Sequence, residues 1–240
     1  MKRDLTLSII IPAYNEAKTI KKLVEKVKKV GLEKKGIKKE IIVIDDGSTD
    51  DTVKIVKRIK GIRVIISKKN GGKGAAVKKG IAAATGDMII IQDADLEYDP
   101  NDYYKCIKPI IDKKTKIVYG SRFINRKQKT FLQKNENTYI LAYIGGITLT
   151  LMTNLLYNAH ITDEATCYKT FDAKFIKSIR INGNRFEWEP EILAKVRKKG
   201  EKIIEVPISY NPRSFEQGKH INWKDGFQAV WTLIKYRFMD

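Results

Sequence analysis

The sequence predicts an α/β fold: a Rossmann-like, mainly parallel sheet with helices on both faces, in a single domain. Three observations lead there. Short apolar runs alternate with stretches of helical periodicity through the first half of the chain. Several of those runs end abruptly in acids. No Pro/Gly/Ser-rich linker marks a second domain.

Each element follows from its own pattern. Leu7 to Ile11 is an unbroken apolar run, as expected of a strand buried on both faces. Pro12 has no N–H to donate and is expected to halt that ladder. Ile20, Leu23, Val24, Val27 and Val30 then recur at helical spacing. Glu40 to Asp45 reads as the next strand. Ser48 looks like a helix cap with acids behind it, and Val53, Val56 and Ile59 continue that helix. Ile62 to Ile66 is a third strand, Gly74 to Thr85 a small-residue helix, and Met88 to Ile91 a fourth strand. Such alternation, with right-handed crossovers, gives a parallel sheet.

Beyond Asp99-Pro100 the rhythm changes. A further helix precedes a strand at Lys116 to Gly120, and the polar stretch Asn125 to Asn137 reads as a loop. The uncharged segment Thr138 to Asn158 reads as one or two helices packed on the core. A strand-like Ile203 to Tyr210 and an amphipathic helix close the chain. Residues 1–240 are thus expected to form one domain, about 1–120 being its nucleotide-binding half and about 121–240 its acceptor-side half.

Composition narrows the partners. Of 240 residues, 47 are Lys or Arg and 28 Asp or Glu, a formal charge of +19 that fits an anionic substrate, an anionic membrane surface or nucleic acid. The lysines are scattered along the whole chain, so part of that charge simply solvates the surface. Nucleic acid is not an expected partner, because it leaves the acids at the strand ends unexplained. Cys106 and Cys167 make neither a disulfide framework nor a zinc spacing. The N-terminus runs straight into a strand pattern, so residence in the cytoplasm is expected. Thr138 to Asn158 is long enough to span a bilayer, yet it contains two glycines, Asn154 and several threonines. Candidate catalytic groups flank it on both sides, so it is expected at most to touch a membrane surface.

The most informative stretch is Met88-Ile-Ile-Ile-Gln-Asp93-Ala-Asp95-Leu-Glu97. Residues two apart on a strand point the same way, so Asp93 and Asp95 are expected to aim at one point past a buried strand's carboxyl end, with Glu97 near. Ligands of open α/β sheets bind there. Clustered carboxylates suit a hard divalent cation shared with substrate phosphates, which makes Asp93, Asp95 and Glu97 the candidate ligands of Mg²⁺ or Mn²⁺. Tyr14 offers an aromatic face to a base, Glu16 an acceptor, and Asp45 an acceptor for a ribose hydroxyl or base N–H. Asn70-Gly-Gly-Lys73-Gly74 opens a helix whose N–H groups, with Lys73, could meet phosphate. It lacks the full pattern of a Walker A loop.

Pro12/Tyr14/Glu16, Asp45-Asp46-Gly47, Gly72-Lys73-Gly74 and Asp93-Ala94-Asp95, in that order, resemble the family 2 glycosyltransferases of GT-A fold. Gly120-Ser-Arg122-Phe, Thr162-Asp163 through Lys169, Phe186-Glu-Trp-Glu189 and Glu205-Val-Pro-Ile-Ser-Tyr210 through Arg213 to Lys219 resemble its dolichyl-phosphate mannose synthase branch, which includes related polyprenyl-phosphate glucose and N-acetylhexosamine synthases. The resemblance implies base and ribose contacts from Pro12, Tyr14, Glu16, Val43 and Asp45. It implies that Asp93, Ala94 and Asp95 line the diphosphate, that Asp95 and Glu97 bind metal, and that Arg122, Arg213 and Lys219 hold donor and acceptor phosphates. The segment from Arg122 to Asp163 departs from the family's glycine-rich, arginine-containing pattern, which leaves Arg126 only a candidate acceptor ligand.

The expected function is an inverting transfer of a hexose from a nucleotide sugar, GDP-mannose or a UDP-sugar, to a polyprenyl or dolichyl phosphate at the cytoplasmic face of a membrane. Asp95, Arg122 and Asp163 are the candidate catalytic residues. The alternative is a metal-dependent transfer to a saccharide hydroxyl, with Asp163 as base; Asp163 is equally suited to holding a neighbouring arginine.

Overall fold

The computed structural model describes residues 4–124, 137–212 and 223–239. Arg126, Arg213 and Lys219 lie outside the described residues, as does all but the end of the expected 125–137 loop. One sheet of seven strands organises the rest: β1 (Leu5–Ala13), β2 (Ile37–Asp45), β3 (Arg63–Ile66), β4 (Met88–Ile91), β5 (Ile117–Ser121), β6 (Lys169–Asp172) and β7 (Ile203–Pro207). Their order is β3-β2-β1-β4-β6-β5-β7. All pairings are parallel except those of β6, which runs antiparallel to both β4 and β5. The sheet therefore draws on both halves of the chain.

The central strands are apolar because both of their faces are covered. Ile9, Ile10 and Ile11 of β1, Ile42, Val43 and Ile44 of β2 and Ile89, Ile90 and Ile91 of β4 are fully buried. Each such side chain contributes roughly 1.5–3 kcal/mol relative to exposure. The covering helices are α1 (Ile20–Lys29), α2 (Thr52–Lys57), α3 (Lys73–Ala83), α4 (Tyr103–Ile111), α5 (Asn137–Tyr157), α6 (Ala173–Lys177), α7 (Trp188–Lys198) and α8 (Trp223–Phe238). α1 buries Ile20, Leu23, Val24 and Val27, the residues its periodicity selects. α3 packs so closely on β1 that a methyl at Gly80 would meet Ile10 Cγ2 at 2.3 Å.

Several expectations are corrected. Pro12 does not halt β1, which pairs with β2 as far as Ala13↔Asp45. The Ile10 carbonyl accepts from Gln92 on the β4 side and the Ala13 carbonyl from Asp46 on the β2 side. Alternation turns Pro12 toward β4, where pairing has already ended at Ile10↔Ile91, so its missing donor costs nothing there. Ser48 does not cap α2. Its hydroxyl accepts from the Asn15 N–H, the helix starts later behind Asp51, and Asp50 accepts from the Thr52 N–H. The antiparallel β6 was not expected; Lys169-Thr-Phe-Asp172 is too short and polar to show as an apolar run. The uncharged segment forms one continuous helix, α5, and β7 stops at Pro207.

The amphipathic helix expected at the end of the chain divides its large apolar residues between core and solvent. Val230 and Ile234 are half-buried, whereas Phe227, Trp231 and Phe238 are exposed; Ala229, Thr232, Leu233 and Tyr236 face the core. Among the described residues, no helix is long and apolar enough to cross a membrane.

Candidate active site

The loops that leave the carboxyl ends of β1, β2 and β3 are laced together by short polar bonds. Asn15, held at a positive φ of 56°, receives the Thr49 N–H on its side-chain oxygen at 2.8 Å. The Glu16 N–H donates to Thr52 Oγ1 at 2.8 Å and the Ala17 N–H to Asp50 at 3.1 Å. Asp46 Oδ2 accepts from Gly71 and Gly72 at 2.9 and 2.6 Å. This lattice fixes Pro12, Tyr14, Glu16, Val43 and Asp45 at one end of the sheet. Val43 is fully buried, while Tyr14 lies half in solvent. Asp45 is buried too, and its Oδ2 accepts from Gly47 and Ser48 at 3.1 and 3.2 Å. Asp45 Oδ1 and Asp46 Oδ1 have no hydrogen-bond partner. An orphaned buried acceptor is costly unless a ligand donates to it.

The glycine-rich start of α3 does not form the anticipated phosphate cradle. The Gly74 and Ala75 N–H groups donate to the carbonyls of Arg185 and Asn184 at 3.2 and 2.9 Å. A methyl at Gly72 or Gly74 would lie 2.5 and 2.7 Å from the carbonyl oxygens of Asn184 and Gly183. These glycines serve a close backbone approach. Lys73 is also committed: its Nζ lies 3.0 Å from Asp93 Oδ1 and 3.1 Å from Glu189 Oε1. Burial opposes its charge, but Asp93 foremost among its neighbours outweighs burial and holds the ammonium well above its usual pKa.

Past β4, Ala94 is buried and Asp95 Oδ1 accepts from the Glu97 N–H at 3.0 Å. Glu97 accepts from the Tyr210 hydroxyl at 2.7 Å. Asp93 therefore sits with an ammonium, whereas Asp95 and Glu97 are tied to the turn itself and to Tyr210. Among the described residues, no three His, Cys, Asp or Glu side chains gather into a metal cage. The donor set still suits Mg²⁺ or Mn²⁺, which takes one or two carboxylates and leaves its other positions to water and substrate phosphate.

Arg122 follows β5 and faces Asp163. Its Nε and Nη2 donate to the two carboxylate oxygens, each at 2.7 Å, and the Arg122 backbone N–H adds a 3.0 Å bond. The guanidinium stacks over Phe123 and Tyr210, 5.4 and 5.0 Å from the ring centres. Burial opposes its charge, and Asp163 outweighs burial to keep it firmly protonated. Asp163 is itself buried, and its loop is held by Glu205, which accepts from the Thr162 and Asp163 N–H groups at 2.7 and 3.0 Å.

Sequence reasoning placed Lys169, Glu189, Glu205 and Tyr210 in motifs but gave them no role, and it missed the loop-binding role of Asp46. Glu189 did leave a signal: it stands between Trp188 and Ile192-Leu193 on the buried face of α7, and a carboxylate there requires a cation. Lys169 is wholly buried.

The sequence model of glycosyl transferase family 2 matches residues 8–180. The chain belongs to that family. Among relatives of this glycosyltransferase, the UDP-N-acetylglucosamine--dolichyl-phosphate N-acetylglucosaminyltransferase of Methanococcus voltae is 29% identical over 252 residues, covering 96% of each chain. The dolichyl-phosphate beta-glucosyltransferase ALG5A of Trichomonas vaginalis is 32% identical over 220 residues, 85% of this chain and 65% of that one. Glucosyl-3-phosphoglycerate synthase of Mycobacterium tuberculosis, solved with Mn²⁺, UDP and phosphoglyceric acid, superposes with a TM-score of 0.71 at 18% identity, covering 98% of this chain and 80% of that one. The expected GT-A fold is thereby established.

Glu164 gives the site a pH signature. It is 1% exposed, and neither carboxylate oxygen has a hydrogen-bond partner. Burial raises its pKa from 4.5 to about 7. Between those values the folded chain keeps a proton that the unfolded chain releases, so stability falls as pH rises from about 4.5 to about 7 and then levels off. The span corresponds to roughly 3 kcal/mol. Urea unfolding of wild type and Glu164→Gln at pH 5 and pH 8 checks this: the wild type is expected to lose about 2.5 kcal/mol more stability than the variant over that interval.

Proposed function

We propose that this glycosyltransferase moves one hexose from a nucleotide sugar, GDP-mannose or a UDP-sugar, to the phosphate of a polyprenol or dolichol, with inversion at the anomeric carbon. The observation that carries the reading is the Arg122–Asp163 pair. Both oxygens of Asp163 are spent on one guanidinium, so the residue best placed to act as a base toward a hydroxyl acceptor is occupied instead with fixing a cation. A phosphate acceptor is already an anion near neutral pH and needs no strong base. It needs positive charge held in place, which Arg122 supplies. The names of the relatives from Methanococcus voltae and Trichomonas vaginalis support the same acceptor class.

The residues divide the work. The laced loops carrying Pro12, Tyr14, Glu16, Val43 and Asp45 bind base and ribose, with the bare Asp45 Oδ1 accepting from the nucleoside. Lys73 keeps Asp93 oriented beside Ala94 at the diphosphate. Asp95 and Glu97 hold Mg²⁺ or Mn²⁺, which when bound neutralises the departing nucleoside diphosphate. Arg122, its Nη1 outside the Asp163 pair, faces the acceptor phosphate, with Arg213 and Lys219 as further cations. Asp163 positions Arg122. Two anions are thus brought together for an in-line displacement without mutual repulsion dominating the barrier.

Purified protein supplied with Mg²⁺, dolichyl or undecaprenyl phosphate and each of GDP-mannose, UDP-glucose and UDP-N-acetylglucosamine is expected to deliver sugar to the lipid phase from one donor. Asp95→Asn should fold normally and lower that turnover by about 100-fold or more. Sugar transferred only to saccharide hydroxyls would overturn the reading, and unchanged turnover in Asp95→Asn would remove the metal assignment.

A lipid acceptor calls for contact with a bilayer surface, and two helices that pack together supply apolar faces for it. On α5, Ile144, Ile147, Leu151 and Leu155 form an exposed stripe, Leu155 being 83% exposed; on α8, Phe227, Trp231 and Phe238 stand out beside Lys235 and Arg237. Aromatic residues beside cations suit the membrane interface. Flotation with phosphatidylglycerol vesicles is expected to carry the protein up, and Leu151→Ser/Trp231→Ser to leave it behind. Equal flotation of both proteins would refute the assignment of these stripes.

A further inference from the structure

A line of alternating charge runs inward from Asp93, the acid placed at the diphosphate. Asp93 pairs with Lys73, Lys73 with Glu189 Oε1 at 3.1 Å, and Glu189 Oε2 with Lys169 Nζ at 3.4 Å. Lys169, fully buried, donates onward to the carbonyls of Glu164 and Thr166 at 2.8 and 2.6 Å. Those carbonyls belong to the turn directly after Asp163, the residue that holds Arg122. One end of the line is the donor-side acid and the other is the loop that aims the acceptor-side cation.

Among the described residues, Glu189 is the single carboxylate that pairs with both lysines. Burial by itself would raise its pKa, but Lys169 and Lys73 outweigh burial and keep it ionised. It stands in the first turn of α7, an element that contributes no group to the proposed substrate contacts. Without its charge, two buried ammonium groups would share only Asp93 and a few carbonyls, and each would be driven toward other partners. Lys73 would shift on Asp93, and Lys169 would loosen its hold on the turn at 164–166.

We propose that Glu189 is a positioning residue that locks the donor-side acid Asp93 and the Asp163–Arg122 loop into one register through Lys73 and Lys169. The inference rests on the donor and acceptor sides assigned above. Charge balance alone would make Glu189 a stability residue. Coupling makes a further demand: a change at Lys169, on the acceptor side, must be felt by the nucleotide on the donor side.

The test measures two constants in Glu189→Gln, Lys169→Met and the double variant: the Kd of the donor's nucleoside diphosphate with Mg²⁺, by calorimetry, and the KM of the acceptor. Glu189→Gln is expected to raise both by about tenfold, and Lys169→Met to raise the nucleotide Kd as well, with the double variant no worse than the poorer single variant, as befits residues of one salt-bridge network. A lower melting temperature with both constants unchanged in Glu189→Gln would overturn the proposal. So would effects of the two substitutions on nucleotide Kd that multiply independently. If Lys169→Met does not fold, the two constants of Glu189→Gln decide alone. They are read equally well with a hydroxyl acceptor, so failure of the lipid-phosphate reading and failure of this one are separate results.

Discussion

The arrangement depends on balancing carboxylates that the sheet gathers at one end. Parallel strands β1, β2 and β4 finish close together, and Asp45, Asp46, Asp93 and Asp95 all follow from where they finish. The reaction proposed above, between a sugar nucleotide and a lipid phosphate, would add still more negative charge to that place. The fold answers with cations of fixed geometry rather than with mobile surface lysines. Lys73 is set on Asp93 from the start of α3, and Arg122 is set by Asp163 from the end of β5. Both cations are largely buried, so their positions owe more to packing than to solution charge. The formal charge of +19 is mostly a surface property and says little about the site.

Burial explains the division of roles among the acids. Asp46 gives one oxygen to Gly71 and Gly72 and so ties the loop after β3 to the end of β2. Asp163 gives both oxygens to Arg122. Asp45 keeps one oxygen bare, Asp95 accepts from the Glu97 N–H, and Glu97 accepts from the Tyr210 hydroxyl. Tyr210 joins the two sides, since its hydroxyl donates to Glu97 and its ring underlies Arg122.

The sequence made β1, β2 and β4 legible because a strand buried on both faces must be an unbroken apolar run, as Ile9 to Ile11 and Met88 to Ile91 are; the edge strand β3 showed only through the short run Ile62 to Ile66. It made the acids after β4 legible for the same reason: an apolar run that stops at Ile91 and gives way to Gln92 and Asp93 marks the carboxyl end of a buried strand. The antiparallel β6 was not legible, because its four residues include a wholly buried lysine whose partners come from α7 and a neighbouring turn. The glycines at 72 and 74 were misread for a related reason. A phosphate and a neighbouring backbone both need the space a side chain would fill, and only the fold shows that residues 183–185 occupy it. Glu189 was visible as an acid on an apolar helix face, but its two lysines lie 116 and 20 positions away in the chain. Local pattern carries no record of such pairings.

The central claim is that these acids accept a nucleoside diphosphate only when a divalent cation accompanies it. Calorimetric titration of UDP and GDP into the protein, with Mg²⁺ or Mn²⁺ and then with EDTA, tests it most directly. The account predicts binding of one nucleotide that saturates with metal and disappears with EDTA. Equally tight binding with and without metal would contradict it, and would mean that Lys73 and Arg122 alone offset the carboxylates.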